Sequence, residues 1–222
     1  MQQQPEWEEL FNKHQGETCL VIGNGPSLKD MPLPFLKRYP AFGSNRIYLL
    51  KGFCPTYYAA VNPLVIAQSQ AEILGMDSEV KFLSESVPLE GERILKLRSI
   101  GHPFFSDNPE SGIYEGYTVT YVLLQLAFFM GFNKALLVGV DHSYVFNGAP
   151  NEQKAAVGAD VNHFDPAYFT NGTQWNNPDL ERSEQAYRMA RERFDIAGRA
   201  IVNLTPGSKL EIFPKQDWRV YE

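Results

Sequence analysis

Apolar positions along this chain fall into short unbroken runs, separated by longer stretches with helical spacing. "EWEELFNKH" (6–14) has the i, i+3, i+4 pattern of a short amphipathic helix, and "ETCLVIG" (17–23) follows it as a strand. A second strand lies within "PAFGSNRIYLL" (40–50) and a third in "TYYAAVN" (56–62), rich in residues suited to a pleated surface. "PLVIAQSQAEILG" (63–75) opens on proline and closes on glycine, as a helix does, and "VKFLS" (80–84) is a further strand.

"SGIYEGYTVTYVLLQLAFFMG" (111–131) predicts a loop running into a long buried helix that stops at Gly131, and "KALLVGVD" (134–141) a continuous apolar strand ending in an acid. The segment from about 142 to 178 is polar, aromatic and rich in Gly, Asn and Pro, too long for an ordinary connection and expected to act as a lid. "PDLERSEQAYRMARERFDIAG" (178–198) is an amphipathic helix feeding a last strand, "RAIVNL" (199–204). Strand–helix alternation with unbroken apolar strands predicts an α/β fold: one Rossmann-like domain over 1–222, with a mostly parallel sheet, helices on both faces and a lid over about 142–178.

Composition narrows the function classes. The chain has 222 residues, 44% apolar and 21% charged, with a formal charge of −6, so one sizeable core is expected and nucleic acid is not an expected partner. Two cysteines without a CxxC or Cys/His cluster argue against a disulfide framework or zinc site, and Cys19 inside an apolar run is expected to be buried. "MQQQPEWEEL" lacks a basic and an apolar leader region, so no signal peptide is expected and the cytoplasm is the expected compartment. "YVLLQLAFFMGF" (121–132) is too short to span a bilayer, which takes about 20 residues. Sequons at Asn171 and Asn203 carry little weight in that compartment.

Candidate chemistry begins at "GNGPSL" (23–28). It follows a strand and precedes a short helix, as a phosphate site requires, yet it lacks the third glycine of the dinucleotide fingerprint and the Gly-Lys-Ser/Thr ending of a Walker loop. A tight turn without ligand is the alternative. Asn24 between two glycines, Asn45 after strand two and Asn62 before the next helix lie at successive strand ends, where α/β sheets bind ligands. Each asparagine taken alone is a turn or cap residue; together they suggest an uncharged hydrogen-bonding pocket. Asp141 ends an apolar strand and either faces the ligand, orients the lid backbone or caps the following turn.

In order and spacing, "VIGNGPSL", the "SN" of "FGSNRIY", "NP" before a helix, "SGIY" leading into a helix ending "MGF", "LLVGVD" before an aromatic lid, and "NLTPGSKLEIFP" resemble the bacterial sialyltransferases of glycosyltransferase family 42. They are also similar to lipopolysaccharide-biosynthesis proteins grouped with the archaeal 6-hydroxymethylpterin pyrophosphokinases, the MptE-like family. The resemblance runs from about Thr18 to Trp218.

It implies a metal-independent inverting glycosyltransferase that needs no cofactor and uses a nucleotide-activated, CMP-linked sugar to build a cell-surface glycan or lipopolysaccharide. Carried over, Asn24, Asn45, Asn62, Ser111 and Gly112 would hold the nucleotide with Asp141, while Gly23, Gly25 and Ser27 shape the phosphate turn. Lid tyrosines, here Tyr144 and secondarily Tyr168, would donate to the departing phosphate, and a histidine would be the base. His163, with Asp165 near to orient it, is the first candidate, and His142 the second.

The chain reads "DNPESG" where those sialyltransferases have an arginine, so Glu110 is expected beside the pocket, disfavouring a carboxylated sugar. A glycan acceptor, peripheral association with the inner membrane and a homo-oligomer are further expectations. Pyrophosphate transfer from Mg-ATP to a pterin and non-catalytic nucleotide-sugar binding are the alternatives.

Overall fold

The computed structural model describes residues 5–145, 147–169 and 172–222, so the sequon at Asn171 lies outside the described residues. The unbroken apolar runs become β1 (Thr18–Ile22), β2 (Ala41–Ser44), β3 (Tyr57–Ala60), β4 (Val80–Ser84), β5 (Ile94–Leu97), β6 (Lys134–Val138) and, beyond the lid hairpin β7 (Gln153–Ala155) and β8 (Gln174–Asn176), β9 (Ala200–Asn203). Seven of these form one sheet in the order β5-β4-β3-β2-β1-β6-β9, with every neighbouring pair parallel.

Alternation along each strand divides the core in two. Cys19 and Val21 of β1, Tyr57 and Ala59 of β3, and Ala135 and Leu137 of β6 face one layer. Leu20 and Ile22, Tyr58 and Ala60, and Leu136 and Val138 face the other. The first layer is closed by α1 (Trp7–Leu10), α5 (Val119–Phe129) and α6 (Leu180–Ile196), and the second by α2 (Leu33–Leu36), α3 (Pro63–Gln68) and α4 (Gln70–Gly75). The fold is the α/β, Rossmann-like architecture expected.

α5 is buried from Thr120 to Phe129, which is why its sequence shows no polar stripe. Its one buried amide, Gln125, takes a hydrogen bond from Ser106 N at 3.0 Å and gives one to Tyr114 O at 2.9 Å, pinning the loop that precedes the helix.

Two elements differ from expectation. The single helix expected over 63–75 is broken at Ser69, whose φ of −135° interrupts the turn and whose buried hydroxyl accepts from Tyr48 Oη at 2.8 Å. β5 was not expected, because this edge strand sits among charges; Lys96 Nζ donates to Val87 O and Leu89 O at 2.9 and 2.7 Å. Asn203 is 1% exposed, its amide bonded to Ser208 Oγ and Thr205 N, so its sequon is inaccessible in the fold. No helix among the described residues is long and apolar enough to cross a membrane.

Candidate active site

Strand order reverses at β1 and β6, and the carboxyl ends there open a crevice, as in other doubly wound sheets. A cleft of about 450 Å³ occupies it. Gly23, Asn24 and Gly25 enter from β1, Asn45 from β2 and Asn62 from β3. Asp141 and His142 enter from β6, and Tyr144, His163 and Tyr168 from the lid. Ser27, Ser111, Gly112 and Glu110 lie outside the lining.

The turn after β1 is not an open amide cradle. Gly23 N donates to Val138 O and Gly25 N to Gly139 O, both at 2.8 Å, and Ser27 N donates to Asp141 Oδ1 at 3.1 Å. Ser27 Oγ adds a bond to Asp141 Oδ2 at 2.8 Å. The glycines are there because two strand ends touch: an added β-carbon on Gly23 would sit 2.4 Å from Gly139 O, and one on Gly25 would sit 2.0 Å from Asp141 Oδ2. Asp141 thus caps the 3-10 turn Pro26–Asp30 across from the neighbouring strand, and not the turn that follows it in sequence. Burial pushes its carboxyl above the ordinary range, opposed by the two bonds from Ser27.

The asparagines behave differently from one another. Asn24 Nδ2 donates to Ser44 O and Ser44 Oγ, both at 3.2 Å, while its Oδ1 is buried without a partner among the described residues. Asn45, at φ 50°, also leaves its Oδ1 buried and unpaired among the described residues. Asn62 Oδ1 caps α3 through Leu64 N at 2.9 Å, and its Nδ2 lies 3.5 Å from Asn176 Oδ1 in the lid hairpin.

Ser111 and Gly112 shape the loop instead of lining the cleft: Gly112 O accepts from Ser106 Oγ at 2.7 Å, and Ser111 is exposed. Glu110 is exposed on that same turn, so the expectation that it flanks the pocket does not hold. Five residues after Glu110 the loop bends inward, and Glu115, Tyr117 and Thr118 line the cleft.

The lid is stitched to the strand ends. Phe164 N donates to Asn24 O at 3.0 Å, Arg46 Nη1 to Tyr168 O at 2.7 Å, and Asn162 closes a two-bond clasp on the backbone of Val145. Tyr168 is 1% exposed, its hydroxyl accepts from Arg46 N at 3.3 Å, and its ring stacks on His163 at 3.8 Å with planes 2° apart. It is therefore a platform under the imidazole.

His163 Nδ1 pairs with Asp160 Oδ2 at 2.8 Å, so the orienting acid is Asp160; Asp165, the residue expected, instead caps its own turn through Ala167 N. A carboxylate can only accept, which puts the proton on Nδ1 and leaves Nε2 as the basic nitrogen. Nε2 has no protein partner among the described residues. His142, at φ 54°, has its Nε2 tied to Glu184 Oε1 at 3.1 Å. Tyr144 lines the same cleft with 38% of its surface exposed, and an ordinary phenol is protonated at neutral pH and free to donate.

Asp160 and Asp141 make opposite contributions to stability. Burial would raise the Asp160 carboxyl, but the hydrogen bond and charge of His163 outweigh it and hold the group below its ordinary value. Such a group stabilises the fold above its unfolded value, and the effect is lost as pH falls through the folded one. Asp141 is held up, so the folded chain binds its proton more readily and stability declines as pH rises through that window. Urea unfolding at pH 7 should therefore find Asp160→Asn less stable than the parent, with a gap that closes towards acid pH. Asp141→Asn should be at least as stable at pH 7, since an amide still accepts from Ser27 N. The reverse order would contradict both assignments.

A family model described as 6-hydroxymethylpterin diphosphokinase MptE-like matches residues 1–146. The chain belongs to the MptE-like family. Among solved structures, the MAf glycosyltransferase from Magnetospirillum magneticum AMB-1 is similar with a TM-score of 0.62 at 18% identity, over 95% of this chain and 35% of that one. The sialyltransferase CstII from Campylobacter jejuni, in complex with the substrate analogue cytidine-5'-monophosphate, is similar with a TM-score of 0.53 at 17% identity, over 90% of this chain and 85% of that one. This MptE-like chain thus spans about a third of the length of the first neighbour, and at these identities the likeness establishes a shared fold. No curated protein matches it.

Sequence reasoning missed Asp160, Glu184, Glu115 and the lid residues Trp175 and Asn177. For Asp160 the signal was present as "DVNH", three residues before the histidine; "HFD" offered an acid one residue nearer, and spacing alone does not choose between them.

Proposed function

We propose that this MptE-like protein is a glycosyltransferase whose donor is a nucleotide-activated sugar, CMP-linked by preference, with His163 as the base. The observation that carries it is the Asp160–His163 pair, with Nε2 unengaged in the cleft and the lid segment bearing it bonded to the Asn24 turn. Two buried amide oxygens, Asn24 Oδ1 and Asn45 Oδ1, await donors there, as ribose hydroxyls or a base amine would supply.

In the proposed step, an acceptor hydroxyl gives its proton to His163 Nε2, and its oxygen forms a bond to the anomeric carbon from the face opposite the nucleotide. The bond from that carbon to the phosphate oxygen breaks, and the nucleoside monophosphate leaves with the electron pair, receiving a hydrogen bond from Tyr144. No Lys or Arg is among the described lining residues. A single phosphodiester charge is easier to hold in such a cleft than a diphosphate, which favours a monophosphate-linked donor over a diphosphate-linked one.

The structural neighbours named as glycosyltransferases support this class, and the neighbour solved with cytidine-5'-monophosphate supports the nucleotide. We place the reaction in cell-surface glycan or lipopolysaccharide synthesis, on a glycan acceptor, with the protein in the cytoplasm or at the membrane periphery.

A second reading comes from the family description, diphosphate transfer from Mg-ATP to a pterin, although no group of three or more His, Cys, Asp or Glu side chains among the described residues is placed to hold a metal ion. Thermal stabilisation by CMP, UMP, GDP and ATP, each with and without Mg²⁺, separates the two. A rise in Tm with CMP that ignores Mg²⁺ is the expected result. A rise seen only with Mg-ATP would replace glycosyl transfer with diphosphate transfer.

A further inference from the structure

We infer that Arg46 is a positioning residue for the base: it fixes the Tyr168 ring on which the His163 imidazole lies, and through that ring sets where Nε2 points. The inference rests on the reading of His163 as the base and adds the residue that aims it.

Two constraints set the direction of Nε2. Within the plane of the imidazole, Nδ1 is held by Asp160 Oδ2 at 2.8 Å. Across the plane lies the Tyr168 ring, with centroids 3.8 Å apart and planes 2° apart. A single hydrogen bond leaves a ring free to rock about it, and the stacked face removes that freedom.

Tyr168 is in turn held at both ends by one residue. Arg46 Nη1 donates to Tyr168 O at 2.7 Å, and Arg46 N donates to the phenol oxygen at 3.3 Å. The guanidinium also lies over Phe169, 5.6 Å from its centroid, and that ring stands edge-on to His163 and Tyr168 at 5.1 and 5.0 Å. The anchor itself is fixed at the end of β2. Asn45 O accepts from Tyr58 Oη at 2.7 Å, and Arg46 O accepts from Leu49 N at 3.0 Å. The aim of the base is therefore referred to the sheet, although the base sits on the lid.

Other residues hold the lid down. Phe164 N donates to Asn24 O, Asn162 clasps Val145, and Gln68 Nε2 donates to Gln174 O at 3.3 Å. Arg46 Nε is buried without an acceptor among the described residues, and an empty buried donor costs stability. Fastening alone does not account for an arginine here, whereas placing the Tyr168 ring does.

The test is the ring-proton NMR spectrum of the intact protein carrying isotope-labelled histidine, with His163 assigned from His163→Gln. Over the phenol ring, the His163 ring protons are shifted upfield by its ring current. Arg46→Met keeps an aliphatic stem and loses the donor to Tyr168 O, so these resonances should move downfield towards their positions in Tyr168→Leu. The double variant should match Tyr168→Leu alone, because a residue that acts through Tyr168 has no further effect once that ring is gone. Arg46→Lys should recover most of the upfield shift, since one amine can serve the one carbonyl that Nη1 serves. Both Arg46 variants should melt within about 4 °C of the parent, the change that about 1 kcal/mol produces in a chain of this size.

Unmoved His163 resonances in Arg46→Met overturn the inference, as do a further displacement in the double variant and a lysine that restores nothing. A larger fall in melting temperature overturns it too, since Arg46 would then be a structural fastening. The spectra need no substrate, so CMP titration of the same samples tests the transferase reading separately. The expected spectra without CMP binding leave Arg46 as the residue that places His163 and remove the transfer role given to that histidine; CMP binding with unmoved spectra does the reverse.

Discussion

Replacing His163 with alanine should lower turnover by about 10²–10⁴-fold while nucleotide affinity stays unchanged. The size follows from the role: a positioned base removes the acceptor's proton in the transition state, and nothing else in the cleft is arranged to take its place. His142 has its Nε2 engaged by Glu184, Asp141 is occupied by Ser27, and the Tyr144 phenol is protonated at neutral pH. Affinity survives because the strand-end asparagines, which are proposed to hold the nucleotide, do not depend on the imidazole. Asp160→Asn leaves the ring in place over Tyr168 but removes the acceptor that fixes its tautomer, and should lower turnover by about 10²-fold with little change in KM. Single-turnover rates and CMP titrations of both variants are the measurements. A protein whose His163→Ala variant keeps full turnover does not use this base. If His142→Ala alone abolishes turnover, the two histidines exchange roles.

The strands of this fold were legible in the sequence because a parallel sheet buried on both faces writes itself as unbroken apolar runs, as at "TCLVIG" and "KALLVGV". The buried helix α5 was legible for the same reason. The edge strand β5 was hidden by Arg93, Lys96 and Arg98, charges that an edge tolerates and a centre does not.

At the site, the order of motifs along the chain nominated residues that share one cleft, since Asn24, Asn45, Asn62, Asp141, His142, Tyr144, His163 and Tyr168 all line it, while Ser27, Ser111 and Gly112 do not. Which atom each presents was not legible. Asn62 spends its oxygen on a helix cap while Asn24 and Asn45 do not, and that depends on whether a backbone amide happens to be free two residues on. Asp160 rather than Asp165 meets His163 because the turn at Asp160 folds back through Asn162 N at 2.8 Å, a tertiary consequence of the Val145–Asn162 clasp. The glycines were the most misleading. A Gly-X-Gly turn after a strand suggests room for a phosphate, and here it is room for another strand end.

That last point carries the second large effect. Gly23→Ala should destabilise the fold by about 3 kcal/mol or more, even though it adds one methyl group in a cleft-lining turn. The new β-carbon would lie 2.4 Å from Gly139 O and 3.0 Å from Val140 Cγ2, and the first of these is backbone that cannot rotate away. Relief would require β1 and β6 to part at their carboxyl ends, where Gly23 N donates to Val138 O and Gly25 N to Gly139 O. Two interior strands of the sheet would then lose their terminal pairing together with the packing of Leu28 against Gly139. If the turn existed to admit a phosphate, the same substitution would instead leave urea unfolding untouched and weaken only nucleotide binding. The two accounts therefore separate on one denaturation curve: a lowered midpoint means that the glycine serves the sheet, and an unchanged midpoint with lost CMP affinity means that it serves the ligand. The contact distances favour the sheet, because at 2.4 Å the clash exists before any ligand arrives.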